Sequence, residues 1–132
     1  MINPAPGSSV PAMDNGIVLR LSDGKISFLL TSDISQESEL DLITRRADLN
    51  STVLKVAHHG SNYSSSAAFL AVVDPKLAVI SVGADNTFGH PGAETINRLI
   101  DAVGLDKIYR TDKNGTVECI TNGEKLWVKT DK

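Results

Sequence analysis

Two short runs rich in branched apolar residues, TVLKVA at 52–57 and LAVISV at 77–82, each give way to a polar loop and then to a segment of helical spacing. That alternation constrains the fold most. Parallel strands cannot be joined by a tight turn, so strand, helix, strand in succession predicts an α/β chain with parallel pairing. The helix after the first run spans 66–73 and opens on a serine cap. The helix after the second spans 93–103, with Ile96, Leu99, Ile100 and Val103 on one face. Pro91 suits its opening turn and Gly104 its close. Upstream, IVLRL (17–21) and KISFLL (25–30) flank Ser22, Asp23 and Gly24, where the Asp-Gly pair predicts a tight antiparallel hairpin. A helix is expected over 36–47, where apolar residues recur at helical spacing and acidic residues precede the arginines, as a helix dipole prefers. KIYRT, TVECI and KLWVKT read as short strands, the last two turned by Asn122-Gly123.

The 132 residues, 41% apolar and 22% charged, fit one globular domain with a real core. Residues 1–15, dense in turn formers, read as an irregular lead-in and as a loop entered in mid-fold rather than as a signal peptide. No apolar run approaches the roughly 18 to 20 residues that cross a bilayer. The single cysteine, Cys119, excludes an internal disulfide and a multi-cysteine zinc site. A net charge of -3, with Arg45-Arg46 the only basic pair, excludes a nucleic-acid binder that works by a global basic field.

In open α/β sheets, ligands bind beyond the carboxyl ends of strands, where helices present their amino ends. All three histidines and an early aspartate fall at such junctions: Asp33 after one strand, His58 and His59 after the next, and His90 in the loop after the third. Imidazole and carboxylate together suit zinc or manganese, which makes Asp33, His58 and His59 candidate ligands. Gly60, Ser61 and Asn62 add amides and hydroxyls beside a helix start, a setting for a phosphate. A metal beside an anion pocket points to phosphoester hydrolysis. The plainer alternatives are that Asp33 caps the following helix, that His58 and His59 are one core and one loop histidine, that His90 closes a turn, and that the serines are caps.

The pieces NPAPG, DNGIVLRL, LLTSDIS, a Glu39-x-x-Leu42 helix, LKVAHHGS, SxxAFLxxVxPxxAVISVG, NxFGHP and YRTDKNGTV occur in this order. In them the chain resembles the metallo-β-lactamase fold, and within it the carboxy-terminal domain of ComEC-type DNA internalisation competence proteins. The resemblance covers almost the whole chain. It implies an α/β fold that is the second half of an αβ/βα sandwich, a mixed sheet with flanking helices. The family's HxHxDH signature belongs to the first half, and that string is absent here. By the resemblance, Asp33 is a ligand that bridges two metals, and one of His58 and His59 is a ligand while the other contacts it or the substrate. His90 and Asn86 match the N-x-x-GHP element, with His90 contacting a substrate phosphate or assisting proton transfer, and Gly60 and Ser61 belong to the HHGS turn. Two departures stand out. Ser32 replaces the usual glycine before the aspartate, and Gly16 stands where serine is common.

The implied activity is metal-assisted hydrolysis, with zinc or manganese lowering the pKa of bound water. Asp33, His59 and His90 are the expected catalytic groups. The implied partners are DNA being taken up, the first half of the same domain and a membrane channel segment; the fragment alone is expected to be inactive and prone to pair with itself. The parent is expected in the bacterial cell membrane, with this domain soluble and extracytoplasmic. The alternatives are another phosphodiesterase of the metallo-β-lactamase fold and a non-catalytic module docking DNA or a subunit.

Overall fold

A computed structural model describes residues 16–132; the expected lead-in over 1–15 and the NPAPG piece lie outside them. Five strands form one sheet in the order β1 (Leu19–Asp23), β2 (Ile26–Leu30), β3 (Val53–Lys55), β4 (Leu77–Ile80) and β5 (Ile108–Arg110). The first pair is antiparallel and turns at Gly24, whose φ of 57° lies in the left-handed region that glycine enters without penalty. β2 to β5 are parallel. Helices α1 (Gln36–Thr44), α2 (Ala67–Val73) and α3 (Ala93–Val103) make the crossovers. Right-handed crossovers between strands in sequential order put every helix on the same face, and α1 lies against α2 and α2 against α3.

The core fills the space between that helical layer and the sheet. Leu29, Leu54 and Ala78 stand level on three adjacent strands and are fully buried, facing Leu42, Phe69, Val73 and Leu99 of the helices. The pleat sends the next residues to the opposite face, where Leu30, Lys55, Val79 and Tyr109 form a row that is only partly covered. One layer of helices on a mixed sheet is the arrangement of half an αβ/βα sandwich, as expected. Beyond β5, a single helical turn, α4 (Thr111–Asn114), leads to the antiparallel hairpin β6 (Val117–Thr121) and β7 (Leu126–Thr130), a separate two-stranded sheet. Lys25 N–H donates to the Gly123 carbonyl at 2.7 Å, joining the two hairpin turns.

Several boundaries differ from expectation for local reasons. α1 ends at Thr44 rather than residue 47, because Arg46 turns left-handed (φ 53°) and Ala47 N–H folds back to the Leu42 carbonyl at 3.0 Å. β3 stops at Lys55, since Ala57 begins a 3-10 turn through Gly60. α3 opens at Ala93 with Gly92 in the cap position, so Pro91 precedes the helix; the His90-Pro91 peptide is cis. Asp33 does not cap α1, whose cap position belongs to Ser35.

Candidate active site

Because β2, β3 and β4 run parallel, the loops that leave their carboxyl ends emerge side by side. The Thr31 hydroxyl, fully buried, donates to the Lys55 carbonyl at 2.5 Å and ties the end of β2 to β3. His58 N–H then donates to the Ser32 carbonyl at 3.0 Å, fixing the Asp33 loop against the histidine loop. Three non-glycine residues here are left-handed: Ser32 (φ 50°), His58 (φ 51°) and His59 (φ 54°). Each such residue costs about 1–2 kcal/mol relative to its relaxed backbone, and clusters of them mark functional sites. Ser32 adopts this conformation where the resemblance implies a glycine, so the serine holds the turn against that steric cost. Gly16 has its own reason, since a Cβ there would stand 2.8 Å from Ile34 Cγ2, just beyond Asp33.

The two adjacent histidines part company. His59 Nδ1 lies 2.8 Å from the Ser81 carbonyl, an acceptor only, so Nδ1 carries a proton and Nε2 is the nitrogen turned toward the depression. That Nε2 faces Asp33 Oδ1 at 3.6 Å, with both side chains about half exposed. The ring of His58 meets His59 edge-on at 6.5 Å and His90 at 5.8 Å. Asp33, His58, His59, Phe88 and His90 line one depression of about 230 Å³. A neighbouring hollow of about 210 Å³ shares His59, Phe88 and His90 and adds Val82, Gly83 and Asn86.

Asn86 builds the far wall. Its Oδ1 accepts from Phe88 N–H at 3.2 Å and His90 N–H at 3.0 Å, and its Nδ2 donates to the carbonyls of Gly83 and His90 at 2.9 and 2.7 Å. Burial, and then the nearby His58 and His59, hold the His90 imidazole below the ordinary histidine range, so it favours the neutral form. Lys55, on the open face of the sheet, is lowered by burial, an effect that Asp33 opposes. Gly60 and Ser61 do not line the depression. Gly60 is buried with its α-carbon against Pro91, and the buried Ser61 hydroxyl accepts from Tyr63 N–H at 3.2 Å.

Sequence reasoning missed the groups that hold the histidine loop from behind. Glu39 of α1, fully buried, accepts the N–H groups of Ser65 and of Ser66, the latter at 2.9 Å. From α3, Arg98 donates to the carbonyls of Asn62, Ser64 and Ser65 at 2.9 to 3.0 Å. The Thr95 hydroxyl reaches the Ser61 carbonyl at 2.7 Å. One signal was present: Glu39 shares a helix face with Leu42, an odd place for an acid unless it has partners. Phe88 was also passed over, as an aromatic in an otherwise polar loop.

Asp33 Oδ1 and His59 Nε2 fit two corners of a metal site. Donors about 2.1 Å from a tetrahedral ion stand about 3.4 Å apart, close to the 3.6 Å seen. The backbone carbonyl behind His59 is the usual support of a ligating imidazole. Among the described residues, no group of three or more His, Cys, Asp or Glu is placed to hold an ion. The described residues thus offer a pair of donors, Asp33 and His59, and no complete ligand set.

No protein-family model and no solved structure matches the chain. Curated relatives do. It is 34% identical over 116 residues, 86% of its length, to ComE operon protein 3 of Bacillus subtilis, and 40% identical over 108 residues, 80% of its length, to competence protein ComA of Neisseria gonorrhoeae. It is 37% identical over 97 residues, 72% of its length, to recombination protein 2 of Haemophilus influenzae. The chain spans 15%, 15% and 12% of those proteins respectively.

Proposed function

We propose that this chain, which belongs to the ComEC-type competence proteins, forms part of a metal-dependent phosphodiester hydrolase acting on DNA during its uptake. The observation that carries this reading is the His59 imidazole, its Nδ1 on the Ser81 carbonyl and its Nε2 aimed at Asp33. A zinc or manganese ion held there would supply Lewis acidity and a water activated near neutral pH. Asp33 and His59 would hold the ion. His90, kept neutral by its surroundings, is suited to accept a proton or to hydrogen-bond a phosphate oxygen on the opposite wall. Asn86 fixes the backbone that aims it.

The remaining ligands would come from another part of the parent protein, seated on the partly covered sheet face that carries Leu30, Lys55, Val79 and Tyr109. The described residues contain no helix long and apolar enough to cross a membrane, so a membrane channel would also belong to the rest of the parent. With a net charge of -3, affinity for DNA would come from the site rather than from a general basic field.

Metal content and DNA cleavage, measured on the parent protein with His59→Ala as control, test the reading. Metal and cleavage lost together in the variant support it. A parent that binds DNA without metal, and equally well in the variant, would favour a docking module, which the incomplete ligand set among the described residues also fits.

A further inference from the structure

We infer that the site recognises its substrate through an unpaired base: the Phe88 ring, extended by His90, is a stacking platform for one base of a single DNA strand, beside the phosphate presented to Asp33 and His59. This rests on the DNA reading above and narrows it to single strands. Phe88 is 79% exposed, although burying such a ring is worth about 1.5–3 kcal/mol. It also lines both hollows of the site.

The geometry of the ring is that of a platform. Phe88 and His90 are stacked, their planes 17° apart and their centroids 5.8 Å apart. At that separation the two rings are offset, so His90 extends the plane of Phe88 and leaves its faces largely open, as a base needs. The loop is built in advance, because both N–H groups that orient the rings are held by the same Asn86 oxygen. Between them Gly89 turns left-handed (φ 72°) with open space around it, so its role is to bend the chain rather than to make room. Ordering the ring before binding removes the entropy that a mobile aromatic would lose.

A base in a duplex already stacks on both faces and must be extruded at a few kcal/mol, whereas a base in a single strand is free to stack here. Aromatic stacking tolerates any sequence, since every base has a flat face. A contact of this kind would let the site take a strand of any sequence.

Binding to the parent protein, with a chelator present so that no strand is cut, tests the inference by fluorescence of a short oligonucleotide carrying 2-aminopurine, by competition with its duplex, and by competition with an abasic oligomer of equal phosphate count. The single strand should bind best, with quenching of the 2-aminopurine. Phe88→Ala should weaken it on the order of tenfold and Phe88→Trp should retain it. The abasic oligomer should bind weakly and equally to wild type and Phe88→Ala. Equal binding of abasic and base-containing strands to wild type, or an unchanged affinity in Phe88→Ala, overturns the inference and leaves the hydrolase reading standing. If none of the three DNAs binds, the DNA reading fails and the inference fails with it.

Discussion

The fully buried carboxylate of Glu39 accepts the backbone N–H of Ser66 at 2.9 Å, so a helix outside the site anchors the loop that leads out of the histidine pair. Burial raises the Glu39 pKa, an effect only partly offset by the Ser66 and Ser65 hydrogen bonds and by Arg98. Glu39→Ala leaves the buried Ser65 N–H and the partly buried Ser66 N–H without their acceptor and should cost about 2–4 kcal/mol in urea unfolding. The pH dependence has a definite sign. A carboxyl whose folded pKa is raised stabilises most below its unfolded value, here 4.5, and loses that contribution as pH rises through the folded pKa. Wild type should therefore gain on Glu39→Gln as pH falls through this window; a constant difference between the two would show that the carboxyl is not titrating in this way.

Arg98 supports the same loop from the other side. Its planar guanidinium reaches three carbonyls and the Thr95 hydroxyl, at 2.9 Å, which the point charge of lysine cannot reproduce. Arg98→Lys should destabilise the chain by about 1–3 kcal/mol. Amide exchange should quicken most over residues 61–66; uniform acceleration across the sheet would mean that the contact supports the fold as a whole.

Gly60 and Gly89 make a paired test of backbone against space. Both are left-handed, at φ 84° and 72°. A Cβ on Gly60 would sit 2.6 Å from Pro91 Cβ, whereas on Gly89 it would meet nothing within 4 Å. Gly89→Ala should cost about 1–2 kcal/mol, for the backbone alone. Gly60→Ala should cost about 2–5 kcal/mol, because overpacking adds to it. Thermal unfolding of both variants checks the order.

His90 should titrate below 6.5 when followed by NMR, because burial first, and then His58 and His59, disfavour its charged form. Since its folded pKa is depressed, protonation is resisted in the fold, and acidification through this window weakens the folded state. In His58→Ala the His90 midpoint should rise toward 6.5. An unchanged midpoint would show that His58 contributes nothing and leave burial and His59 as the causes.

Much of the fold was legible because it rests on short-range chemistry. The Asp23-Gly24 turn, the exact span of α3 and the closing hairpin all follow from turn residues and apolar spacing. The early stop of α1 was not legible, since it depends on a left-handed Arg46 that no local pattern announces. Asp33, His58, His59 and His90 do gather at one hollow, as their places after successive strands implied. Asn86 adjoins it, while Gly60 and Ser61 are turned into the structure behind.

What the sequence determined by itself was the α/β alternation and the set of side chains available at the strand ends, because periodicity and turn chemistry act within a few residues. Only the tertiary structure decided which histidine aims its free nitrogen at Asp33, since that depends on the carbonyl of Ser81, 22 residues along the chain. It likewise decided that Glu39 and Arg98 would grip one loop from two helices. Hydrogen bonds between residues so distant exist only once the sheet has brought their strands and helices together.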